Sequence, residues 1–337
     1  MSLDTFLSSS STTTKRPRRL TFSRPAKRLF FLGLLVAGVI TLFMTLNSRG
    51  NWDFVIPFRG TKILALVLVS YAVAVSTVLF QTVSGNRILA PSIMGFDALY
   101  VLIQTVLVFA LGAHAASTLN PQLRFVMEVA IMVLFAGLLY RWLFGGTRRS
   151  LHLLLLVGII FGVLFRSTAG MMQRLIDPNE FAVLQDMLFA SFNSFDRNLL
   201  WVSAALIVGG SVVLWRIGHT FDILALGRET AVNLGLNFQR TVTIILIVIA
   251  IFVSVSTALV GPVTFFGLLV ANLAYQVAGT YKHRWILPFA VGLSILFLVG
   301  GQMVVESLFS FNTSLSIVVE FLGGIVFIVL LIRGVGR

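Results

Sequence analysis

The 337-residue chain contains no cysteine, which excludes disulfide bonds and any metal site or nucleophile built on a thiolate. Histidine is nearly as scarce. The four, at positions 114, 152, 219 and 283, form no H-E-x-x-H helix or other close pair, so a zinc site is not expected. No G-x-x-x-x-G-K-[ST] occurs, so the chain cannot cradle ATP in a phosphate loop of its own. A G-x-S-x-G nucleophile elbow is missing too. Charge is the last shortage: only 11% of residues are Asp, Glu, Lys or Arg, where soluble domains carry about a quarter. The chain therefore reads as a non-enzyme with no metal, no cofactor and no catalytic residue.

What remains is apolar. Hydrophobic residues make up 58% of the chain and come in long runs, such as "LFFLGLLVAGVITLFMTL" (29–46) and "TVTIILIVIAIFVSVSTALV" (241–260). A bilayer core takes about 20 such residues per helix. Strict period-two alternation, the mark of a membrane barrel, is absent. The expected class is an all-α polytopic membrane protein with ten spans: 29–46, 62–83, 92–112, 122–143, 151–172, 198–217, 239–259, 262–279, 285–306 and 314–333. With both termini in the cytoplasm, eighteen of the 25 Lys and Arg fall on the cytoplasmic side and seven on the outer side, as the positive-inside rule requires. The net charge of +13 thus reports topology and contact with anionic membrane lipids, not nucleic-acid binding. Residues 1–28 are basic and Ser/Thr-rich and read as a disordered cytoplasmic tail. Residues 29–337 read as one transmembrane domain.

Polar residues interrupt this pattern at three places. "GNRILAPSIMGFDALYVLIQTVLVFALG" (85–112) opens with Asn86, Arg87 and Pro91 and carries Asp97. An intramembrane carboxylate must face a pathway, other helices or water. If the helix starts at Pro91, Asp97 lies about 9 Å along it, past the turn where the helix dipole helps most. "HTFDILALGRETAVNLGLN" (219–237) is a longer cytoplasmic segment. Arg228 to Leu234 can form two helical turns, with Gly235 as the left-handed residue that ends them. Leu224, Leu226, Val232 and Leu234 then need cover, either from a protein partner or from lipid headgroups. In "STALVGPVTFFGLLVANLAYQVAGTYKHRW" (256–285), Gly261-Pro262 must break the backbone, and Asn272 is a buried amide needing a partner. Punctuation of this kind in two halves suggests repeats around a central pathway, although Gly and Pro are common in membrane helices generally. Gly158 and Gly162 form a G-x-x-x-G packing motif.

Five blocks, in order, resemble the permeases of iron–siderophore and vitamin B12 ABC importers, the FecCD-type family. "FRGTK" (58–62) is similar to the R-x-P-R that opens the second span. "FQTVSGNRILAPSIMG" (80–95) resembles Q-x-x-x-x-N-P-L-A-[DE]-P-x-x-L-G. "LALGRETAVNLGLN" (224–237) resembles L-x-L-G-x-x-x-A-x-x-L-G. "GPVTFFGLLVANLAY" (261–275) resembles G-x-I-x-F-V-G-L-x-x-P-H-x-A-R. "VVEFLGGIVFIVLLIRG" (318–334) resembles the closing E-x-x-G-x-P-x-F-x-x-L-L. The chain departs from the pattern at Arg87, Ala90, Ala271-Asn272, Tyr275, and at Gln302 and Glu306, where an Asp and an Arg are usual. These departures, with "QDMLFASFN" (185–193), point away from vitamin B12 and toward catechol-siderophore permeases.

The resemblance implies a type II ABC importer in the cytoplasmic (inner) membrane of a bacterium. Its partners would be a separate ATPase subunit, a second permease (the same chain or a homologous one) and a periplasmic or lipoprotein siderophore-binding protein. It implies that Gly227, Arg228, Glu229, Ala231, Leu234 and Gly235, in a coupling helix near 226–236, seat in the ATPase. It also implies that Arg59 and Lys62 dock the binding protein; Arg49, Arg174 and Arg197 are candidates by location alone. Asn86, Pro91, Asp97, Asn272, Gln302 and Glu306 are the expected pathway or gate residues, and Glu320 is expected to be structural. Haem or a cobalamin as cargo, or an ion-coupled carrier using Asp97, Glu128 and Glu306, are the alternatives.

Overall fold

The computed structural model describes residues 24–46, 52–144, 151–188, 197–308 and 315–332; no strand occurs among them. The order is α1 (Arg24–Thr45), α2 (Trp52–Ser84), a 3-10 turn (Pro91–Met94), α3 (Phe96–Leu111), α4 (Ala113–Thr118), α5 (Pro121–Phe144), α6 (Leu151–Gln173) and α7 (Pro178–Leu188). It continues with α8 (Arg197–Ile217), a second 3-10 turn (Gly218–Thr220), α9 (Phe221–Leu224), α10 (Arg228–Asn233), α11 (Phe238–Val260), α12 (Phe266–Ala278), α13 (His283–Leu308) and α14 (Leu315–Ile332). Each of the ten expected spans falls on one of these helices. Seven are long and apolar enough to cross a membrane, and α3 and α12 are shorter apolar helices. The chain is a multi-pass membrane protein.

Helices apolar on every side end up in the interior, and α2 and α11 are the two here. They pack on each other, with α5 and α8 against α11 and α13 against α2. Ala72, Val75 and Leu79 of α2 meet Val242, Ile245, Leu246 and Ile249 of α11 in one core. A second core joins Leu66 and Val69 of α2 to Phe266 and Val270 of α12 and Ile286 and Phe289 of α13. By contrast, Leu156, Ile160 and Val163 of α6 and Trp201, Val208 and Trp215 of α8 stay exposed, as lipid-facing or partner-facing residues do.

Three boundaries differ from the sequence reading. Helix α2 starts at Trp52, ten residues before the expected boundary, and runs through Pro57. The third span is not one helix: Gly95, at φ +88°, separates the 3-10 turn from α3. The eighth span begins only at Phe266, because Gly261 takes φ +91° and ends α11 while Pro262 lacks an N–H to continue it. Residues 1–23 of the basic tail, Arg49, and residues 189–193 of the "QDMLFASFN" block lie outside the described residues.

Candidate functional site

The two helix breaks face each other. Asp97 is buried, and its Oδ2 accepts a hydrogen bond of 2.7 Å from the Thr264 hydroxyl, in the 261–265 break. The Thr264 N–H in turn donates to Glu320 Oε1 at 3.3 Å, so Glu320 ties α14 to the same break. Because α3 starts at Phe96 and not at Pro91, Asp97 sits in the first turn of its helix, where the positive end of the dipole favours a carboxylate. This corrects the placement past the first turn. A cavity of about 500 Å³ opens beside it, lined by Ser92, Asp97, Arg166, Ser167 and Thr264. Pro91, buried at the start of the 3-10 turn, holds the lip of the break.

The two cations expected to dock a binding protein turn inward. Arg59 Nη1 donates to the carbonyls of Phe43 and Leu46, both at 2.5 Å, closing the C-terminal end of α1. Lys62 is only 4% exposed, and its Nζ lies 2.7 Å from Glu306 Oε1 on α13. Gln302 Nε2 donates to that same oxygen at 2.9 Å. The reason is the longer α2: Lys62 lies ten residues inside the helix, about 15 Å from its start, and not in a surface loop. The structure therefore joins Lys62 to Gln302 and Glu306, for which the sequence suggests different roles. Of the remaining outer candidates, Arg174 is exposed.

At the cytoplasmic end, three of the departures from the family pattern, Arg87, Asn272 and Tyr275, meet. The Arg87 guanidinium lies over the Tyr275 ring at 4.5 Å and the Tyr281 ring at 5.4 Å. The Arg87 carbonyl accepts from Gln81 Nε2 at 2.8 Å and from Asn272 Nδ2 at 3.2 Å. Asn86 is exposed and its side-chain oxygen accepts the Ile88 N–H at 2.9 Å, shaping the turn locally. An Arg in place of Pro thus comes with the tyrosine that holds its side chain and the amide that holds its backbone.

The segment at 224–237 folds as expected. Gly227 (φ +92°) precedes α10 and Gly235 (φ +83°) follows it. Leu236 N donates to Ala231 O at 3.0 Å and Gly235 N to Val232 O at 2.9 Å, the paired bonds of a Schellman ending. Ala231 is fully buried against the bundle, while Arg228, Glu229, Val232, Leu234 and Gly235 are exposed. Leu224 is buried at 3%, so it belongs to the core and not to the uncovered side.

Sequence reasoning missed one group beside this segment. Asp222 Oδ1, on α9, accepts from the backbone N–H of His283 at 2.9 Å and lies 2.7 Å from its Nδ1. The other ring nitrogen, Nε2, lies 2.7 Å from the Thr82 hydroxyl on α2. No local motif marks residues 82, 222 and 283 as neighbours.

The arrangement combines a membrane bundle with broken helices, an enclosed polar centre and a cytoplasmic segment with an uncovered face. The FecCD transport family model matches residues 29–333. This chain belongs to the FecCD transport family. Within it, the chain is 50% identical over 91% of its length, and 97% of the relative's, to the petrobactin import system permease protein YclO of Bacillus subtilis (strain 168). It is 37% identical, over 83% of its length and 79% of the relative's, to the petrobactin import system permease protein FatC of Bacillus anthracis. The same fold is seen in a solved structure described as an inward-facing conformation of a metal-chelate type ABC transporter, at TM-score 0.75 and 21% identity, over 92% of this chain and 99% of that one.

Proposed function

We propose that this chain is the permease subunit of an ABC importer for a ferric catecholate-type siderophore, with ferric petrobactin as the cargo to test first. The observation that carries the mechanism is α10: a short helix fixed by two left-handed glycines, buried at Ala231 and uncovered at Arg228, Glu229, Val232 and Leu234. A segment so placed fits a groove in a separate ATPase subunit. Two permeases, over two such ATPases and under a binding protein, alternate between outward-open and inward-open states because ATP binds one state better than the other. In this reading Asp97 faces the pathway, and the breaks at Gly95 and Gly261 and the cavity beside Asp97 support it, since discontinuous helices line substrate sites in transporters. The acidic residues an ion-coupled carrier would use are engaged within the protein. Asp97 is bonded to Thr264, Glu306 is paired with Lys62, and Glu128 binds Arg124 at 2.8 Å and Gln104 at 2.6 Å.

The test is uptake of radioactive iron in cells lacking this permease. The iron is supplied on petrobactin, other catecholates, hydroxamates or citrate. Wild type restores uptake from petrobactin. Arg228→Glu lowers it by about tenfold or more, since a reversed charge at a docking face costs several kcal/mol. Gly235→Pro abolishes it, because proline is locked near φ −65° and cannot take +83°. No rescue with any of these iron carriers would move the cargo to haem or a cobalamin, and uptake that survives an inactive ATPase would overturn the mechanism.

A further inference from the structure

We propose that Asp222, His283 and Thr82 are positioning residues that tie the α10 segment to the cytoplasmic turn at residues 85–90, so that movement of one shifts the other. The inference rests on α10 being the contact for the ATPase. Its geometry begins at α9, which continues into α10 without slack: Gly227 N donates to Leu224 O and Ala231 N to Gly227 O, both at 3.0 Å. Asp222 therefore travels with α10. Its carboxylate can only accept, so the His283 Nδ1 facing it carries a proton. It holds the first residue of α13 by both backbone and ring, at 2.9 and 2.7 Å. The imidazole is 4% exposed and edge-on to Phe221, with ring centres 5.9 Å apart. That packing fixes Nε2 against Thr82 at 2.7 Å.

Beyond Thr82 the contacts reach the turn along α2. Gln81, the preceding residue, holds the Arg87 carbonyl at 2.8 Å. At the turn itself, Asn272 of α12 donates to the same carbonyl at 3.2 Å, and the Tyr275 ring supports the Arg87 guanidinium at 4.5 Å. One imidazole thus joins α9, α13 and α2, among residues 61 and 201 positions apart in sequence. Hydrogen bonds of this length and direction weaken steeply when donor and acceptor separate. A shift of α9 by about one ångström must therefore either carry His283 along or break the link, which gives two discrete arrangements. Asp222 is 52% exposed at the cytoplasmic surface while His283 is buried, so the link starts where a partner subunit can act and ends at the turn.

The absence of cysteine gives a direct test. Ser92→Cys, lining the cavity just past the turn, is introduced into the assembled importer, with its ATPase, second permease and binding protein in proteoliposomes. Its maleimide labelling rate is read with and without ATP, beside ATP hydrolysis and ferric petrobactin uptake. In His283→Ala and Thr82→Val, the ATP-dependent change in labelling falls by about tenfold while the ATPase subunit still hydrolyses ATP. Asp222→Ala combined with His283→Ala is no worse than either alone. His283→Asn and His283→Gln, each keeping one nitrogen position, do not restore the response. Labelling that answers ATP as in wild type, or effects that multiply in the double variant, overturns the proposal. If His283→Ala does not assemble, Thr82→Val decides, since it removes one hydroxyl and keeps the shape. A wild type whose labelling answers ATP but which imports no petrobactin overturns the siderophore reading alone, and the labelling results still decide this one.

Discussion

Replacing Lys62 with Met lowers the apparent Tm of the purified permease by about 5 °C, and adding Glu306→Met recovers most of that loss. These are the results expected of a buried ion pair that acts as a unit. Lys62 Nζ and Glu306 Oε1 are 2.7 Å apart, at 4% and 15% exposure. Removing one partner strands a charge in a poorly solvated site, a loss of about 3–5 kcal/mol, whereas removing both leaves a packed apolar contact that is often neutral. In a chain of 337 residues, 1 kcal/mol corresponds to about 1.4 °C. Gln302, which donates to the same carboxylate oxygen at 2.9 Å, is the third member. Gln302→Leu is therefore expected to be milder, since it removes a neutral donor and leaves the ion pair. Unfolding followed by intrinsic tryptophan fluorescence in detergent measures these three variants and the Glu306→Met single variant. A double variant as unstable as the sum of the two single ones would show that α2 and α13 are held by something other than this pair.

This pair also shows where the sequence stops being legible. The apolar runs identify ten helices because membrane-spanning length and composition are local properties, visible in any window of about 20 residues. The start of α2 is not local in that sense. "WDFVIPFRGT" mixes charge, Pro and Gly and reads as a loop, yet it is helical because Arg59 closes α1 and Lys62 meets Glu306 from 244 positions away. The break at Gly95 is visible as a glycine, but its left-handed backbone depends on what lies opposite. Asp97 plainly needs a partner, but nothing short of the fold says that Thr264, 167 positions on, supplies it. The α10 segment is legible throughout, because two glycines and a six-residue helix define it locally. Its connection to Thr82 through His283 is not, because lone polar residues at the ends of three separate helices leave no pattern along the chain.

The second large effect is expected where α3 and its preceding turn cross α6. Gly158 and Gly162, the G-x-x-x-G packing motif, lie backbone to backbone against Met94 and Gly95. A Cβ added at Gly158 would sit 2.9 Å from Met94 Cα, and one at Gly95 would sit 3.0 Å from both Cα and N of Gly162. These neighbours are main-chain atoms, which no side-chain rotation can move aside. Gly158→Ala therefore forces the helices apart and destabilises by about 1–3 kcal/mol. Gly95→Ala adds the strain of a non-glycine residue at φ +88° to the same clash, so it is the worse of the two. Gly170, on the same helix with nothing within 4 Å of an added methyl, is the internal control, and Gly170→Ala does not destabilise and gains up to about 1 kcal/mol of helix propensity. Because Asp97 follows Gly95 by two residues, separating this crossing also pulls its carboxylate away from Thr264. Gly158→Ala should thus lower both the apparent Tm and uptake. A Gly158→Ala permease with wild-type stability would mean that α6 does not pack this closely on α3, and the placement of Asp97 at the break would fall with it.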